Sequence, residues 1–190
     1  MHIQLIDAFA LSGETVIGWS GREMAIGGGG CSINEHTEYT GEWESAPPIW
    51  YSDSVPYAQF LSIGFLLASG KWYQIQSLPI NDDFFCSLII TEISAQTPPE
   101  PYTSGSIFRD VCPIGLPTGR ASVISTLLND TGSVLEIALS IDSHSVRLLS
   151  GEVYECKSDK FRIVERDESV LIQLDGARPM TYSCDEPSIF

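Results

Sequence analysis

Apolar residues at every second position, broken by short polar turns, restrict this chain more than any other feature. His2 to Phe9 opens with Ile3 and Leu5 in that phase. Lys71 to Leu78 reads K-W-Y-Q-I-Q-S-L, with Trp72, Gln74 and Gln76 on one face and Tyr73 and Ile75 on the other. Phe84 to Ile93 is apolar at nearly every position, as in a strand covered on both faces. The last third reads as a meander of short runs: Val134–Ile141, Val146–Leu149, Val153–Cys156, Phe161–Val164 and Val170–Leu174.

Three Ser-Gly turns, Leu11-Ser12-Gly13-Glu14, Ala68-Ser69-Gly70-Lys71 and Leu149-Ser150-Gly151-Glu152, each sit between two apolar runs. Glycine supplies the positive φ that a tight hairpin needs. Their unequal spacing marks recurrent turn chemistry, not a repeat. Ser54-Val55-Pro56 could open a helix, but the residues after it fit a strand entering the Ser69-Gly70 turn. Arg120–Asn129 stays open between helix and strand, since its apolar residues stand at helical spacing and are partly β-branched. The expected fold is mostly β, with antiparallel sandwich or barrel-like sheets in two β-rich halves and few short helices.

Five prolines between Thr97 and Gly119 deny ladder donors, so residues 97–120 read as a loop or linker. It separates an acidic half, 1–96, from a meander half, 121–190; the two could also share one compact domain. Residues 1–96 carry eleven acids against two bases, and 121–190 twelve against six. The whole chain bears a formal charge of −15. Such a surface repels nucleic acid phosphates and anionic membranes and favours a basic partner. Lys157, Lys160, Arg162 and Arg166 alternate with Glu155, Asp159, Glu165 and Asp167, the pattern of a solvated hairpin laced with ion pairs. The start of the chain has no basic n-region, and Asp7 interrupts its apolar run. The apolar run Phe60–Ala68 is too short to span a bilayer. Cys31, Cys86, Cys112, Cys156 and Cys184 are odd in number and scattered, which fits buried reduced thiols in a cytoplasmic protein.

Leu127 to Ser133, L-L-N-D-T-G-S, resembles the segment on which aspartic proteases carry a catalytic carboxylate. A single copy would imply a homodimer with two Asp130 carboxyls sharing a proton. Asn129 departs from that family's apolar residue before the aspartate, and Leu148-Leu149-Ser150-Gly151 is a poor match to its later glycine segment. Asn-Asp-x-Gly between apolar runs is also turn chemistry, which is the preferred reading. Gly27–Gly30 lacks the lysine and hydroxyl residue of a phosphate loop. Cys31 beyond it would need His36 or His144 as a base to act as a nucleophile. His2, His36 and His144 are too far apart in sequence to suggest a metal site, and Asp82-Asp83 reads as a surface turn.

The stretch Glu35 to Ser54 holds five acids and neither Lys nor Arg. Glu38, Tyr39, Glu42, Trp43, Glu44, Trp50, Tyr51 and Asp53 are the candidate binding residues: aromatics anchor interfaces and carboxylates steer a basic partner. Pro47-Pro48 would hold the stretch extended. The expected function is a protein-binding module without metal or cofactor, similar in size and charge to a toxin-neutralising immunity protein. The alternative is a hydrolase using Asp130 or Cys31.

Overall fold

The computed structural model describes residues 8–28, 47–80, 85–96, 98–112, 115–156 and 160–184. After a short 3-10 turn, Ala8–Leu11, come ten strands: β1 Thr15–Met24, β2 Ala58–Leu67, β3 Trp72–Pro79, β4 Cys86–Ile93, β5 Phe108–Cys112, β6 Gly119–Leu128, β7 Val134–Ile141, β8 His144–Cys156, β9 Lys160–Leu174 and β10 Tyr182–Ser183. All pairings between them are antiparallel, in the order β10-β5-β1-β6-β7-β8-β9-β2-β3-β4. A further β1–β2 pairing closes β1, β6, β7, β8, β9 and β2 into a ring.

The ring is flattened into two layers. One runs β10-β5-β1-β2-β3-β4 and the other β6-β7-β8-β9, with β3 and β4 facing the second layer. The corners are narrow: β1 meets β6 at Thr15 and Val16, and β2 meets β9 at Ala58, Gln59 and Phe60. Trp19, Phe65, Tyr73 and Ile75 from the first layer pack on Ile137, Leu139, Val146, Leu148 and Ile172 from the second in one buried cluster. Both halves of the chain therefore feed the same core. A smaller cluster of Ile26, Val55, Tyr57, Leu149, Val153 and Leu171 fills one end.

Period-two patterning built the strands as expected, and the open segment Arg120–Asn129 lies almost wholly in β6. The Ser69-Gly70 turn links β2 to β3 with Gly70 at φ +84°, and Gly13 adopts φ +92° before β1. The third Ser-Gly pair is not a turn. Ser150-Gly151 lies inside the unbroken strand β8, where a side chain at position 151 would meet the Val164 carbonyl at 2.8 Å. The irregularity sits across the ladder: Ser150 pairs with Val170 and Gly151 with Glu165, so residues 166–169 of β9 bulge out between them. The apolar runs on either side of these points belong to single long strands. The 97–120 stretch also differs from a plain loop. Its proline-free residues 108–112 form β5, paired with both β1 and β10.

Candidate functional site

Glu23 lies on the inward phase of β1, where its side chain is only 1% exposed. One of its oxygens accepts from Arg109 at 2.7 Å; the other accepts from Arg178 at 2.7 Å and from the Thr181 hydroxyl at 2.8 Å. The arginine side chains are 15% and 11% exposed. Burial lowers the Arg178 pKa, Glu23 counters this, and the like charge of Arg109 lowers it further. The Arg178 Nε has no acceptor among the described residues.

This triad anchors the described end of the acidic-aromatic stretch. Arg178 donates to the Trp50 carbonyl at 2.9 Å, Arg109 stacks on the Trp50 ring at 4.3 Å from its centroid, and Arg178 lies 5.5 Å from the Tyr51 centroid. Tyr102 meets the Trp50 ring edge-on. Tyr51 is 58% exposed and donates to Asp53, which raises the tyrosine pKa. Trp50, Tyr51 and Asp53 thus stand together, with the tryptophan committed to internal stacking and the tyrosine and aspartate outward. Glu38, Tyr39, Glu42, Trp43 and Glu44 lie outside the described residues. Glu23, Arg109 and Arg178 were not among the sequence candidates.

A groove of about 320 Å³ runs across the outer face of β1, β2 and β3. Gly64 leaves its floor flat between Ser20, Ser62 and Gln74, Trp72 forms one wall, and Pro98 to Glu100 form another. Glu100 is tied there by Arg22 at 3.2 Å and by its own amide, which donates to Asp110 at 2.7 Å. The side chains of Ser20, Ser62 and Gln74 make no hydrogen bond among the described residues, so the floor can offer hydroxyl and amide groups to a small polar molecule.

Where β9 bulges, the half-buried Glu152 of β8 stands near the half-buried Asp167 and the exposed Glu168. Burial first, and Asp167 next, push its pKa up to about 7, although the Ser169 hydroxyl donates to it at 3.2 Å. Asp167 accepts from Tyr154 at 2.9 Å, and burial raises the Tyr154 pKa beyond its ordinary range. The Cys86 thiol is pushed up as well, chiefly by burial and then by these carboxylates, the reverse of an activated nucleophile. In the β8–β9 hairpin Glu155 accepts from the Gly28 amide at 2.8 Å and Arg166 stacks on Phe85 at 4.3 Å, while Lys157 and Asp159 of the expected ion-pair lacing lie outside the described residues.

Asp130 is exposed at the β6–β7 turn, and its carboxylate makes no hydrogen bond or ion pair among the described residues. Asn129 shapes that turn instead, accepting from the Thr131 amide and hydroxyl and from the Ser133 amide. His144 is paired with Asp175 at 2.7 Å on the surface. Cys31, His36, His2 and Asp82-Asp83 lie outside the described residues. Gly28, at φ +76°, spends its amide on Glu155, so this end of the glycine run serves a carboxylate of the chain itself. Among the described residues no group of three or more His, Cys, Asp or Glu could hold a metal ion. The thiols differ from the expectation of burial: Cys112 is exposed, Cys156 and Cys184 are half-buried, and among the described cysteines only Cys86 is enclosed. No protein family, characterised protein or solved structure was found to match this chain.

Proposed function

We propose that this protein is a binding module that engages a basic protein partner through its acidic-aromatic stretch, Glu35 to Ser54. One observation carries the reading: a buried Arg–Glu–Arg triad is spent on holding Trp50 and Tyr51. Buried ion triads seldom improve stability over apolar packing. A fold that keeps one to fix a surface segment gains a preorganised anchor, which lowers the ordering cost of binding. Tyr51 and Asp53 then offer an exposed aromatic beside a carboxylate, a combination suited to a partner's lysine or arginine. Glu38, Glu42 and Glu44 add negative charge on the same stretch and would speed encounter at low salt.

The test is affinity capture from the native host with the parent chain and with Glu42, Glu44 and Asp53 all changed to Lys. A basic protein should be retained by the parent and lost by the triple variant, and Asp130→Lys, remote on the β6–β7 turn, should retain it. Equal retention by parent and triple variant would sink the proposal.

A further inference from the structure

Cys112 and Cys184 are 72 positions apart in the chain, yet their Sγ atoms stand 3.0 Å apart. That is about 1 Å longer than a covalent S–S bond. The fold brings them together at its edge. Tyr182 pairs with Cys112 and Ser183 with Val111, and the Cys184 amide donates to the Asp110 carbonyl at 3.1 Å. This sets the two cysteines on a diagonal across β5 and β10, a separation that a flat ladder leaves wide for a disulfide. β10 is two residues long and can shift over the remaining distance. Cys184 also lines one end of the outer groove, beside Asp110 and Val111.

We propose that Cys112 and Cys184 form a reversible disulfide that fastens β10 to β5 and fixes that end of the groove. Cys112 is exposed and meets the oxidant first. With glutathione disulfide, the Cys112 thiolate attacks one sulfur and displaces a glutathione thiolate, leaving a mixed disulfide. The Cys184 thiolate then attacks the Cys112 sulfur, closes the protein disulfide and displaces the second glutathione. Two protein thiols give up two electrons and two protons, and one glutathione disulfide becomes two thiols. An exposed disulfide of this kind is open to the reverse exchange.

The full chain should be equilibrated in glutathione buffers from reducing to oxidising, acid-quenched, alkylated and mapped by mass spectrometry. A peptide linking Cys112 to Cys184 should rise with oxidation and disappear on return to reducing buffer. Thermal unfolding of the oxidised chain should lie several degrees above the reduced chain, and that gap should vanish in Cys112→Ser and in Cys184→Ser. The proposal is overturned if no 112–184 link forms in the most oxidising buffer, or if either cysteine links elsewhere instead. It is equally overturned if the link forms without a thermal shift, since β10 is then not fastened.

Discussion

Glu23 is tolerated in the interior because both of its oxygens meet donors: two guanidiniums and a hydroxyl surround a carboxylate with almost no contact with water. Removing its charge would leave Arg109 and Arg178 facing one another without a counter-charge. Glu23→Gln is therefore expected to lower unfolding free energy by about 3–5 kcal/mol, read by urea denaturation. Trp50 fluorescence should change with it, because Arg109 would no longer be held against the indole. Part of this was visible in the sequence. Glu23 shares its strand phase with Trp19 and Gly21, so a charged side chain there points into the core. No local pattern reveals its partners, which stand 86 and 155 positions away. Trp50, Tyr51 and Asp53 were legible as a unit, but the tryptophan's internal partners were not.

β8 and β9 show how an element can hide an irregularity from pattern reading. The polar gap at Ser150-Gly151 resembles a turn, yet β8 continues through it while β9 bulges opposite. Ser150 is buried there, sharing a 2.7 Å hydrogen bond with Ser77 of β3. Alternation records which face a residue takes and is blind to how many residues the partner strand spends. That bulge half-buries Glu152 beside Asp167 and gives it an unusual titration. Its pKa is about 7 in the fold against 4.5 ordinarily, so the folded chain retains a proton that the unfolded chain has released. Stability should then fall as pH rises from about 4.5 to about 7 and stay reduced above that range. Glu152→Gln should flatten this slope and raise the melting temperature more at pH 8 than at pH 5. A variant whose melting temperature follows pH as the parent does would show that Glu152 is not the group responsible.

For the whole molecule, the decisive fact is that successive parts of the chain build most of two facing layers, with the short β5 and β10 joining the first from later in the chain. β1 to β4 come from residues before the proline-rich stretch, β6 to β9 come from residues after it, and one buried cluster draws on both. A nick between Ser104 and Gly105, in an exposed turn, should leave the layers together. Expressed separately, fragments 1–104 and 105–190 should each lack a cooperative melt by circular dichroism and regain it on mixing. A cooperative melt in either fragment alone would contradict this interdependence. The proline-rich stretch marked the division into two halves but not how they pair, because the registers that join β1 to β6 and β2 to β9 lie between distant segments.

The same arrangement has a consequence during synthesis. When β4 has left the ribosome, Trp19, Phe65, Tyr73 and Ile75 already share an apolar face, but the strands that cover it do not yet exist. At ordinary elongation rates that face stays open for several seconds. Eleven acids against two bases in residues 1–96 make neighbouring nascent chains repel one another through that interval. The acidity of this half thus acts during synthesis, as protection for a layer still waiting for its other side.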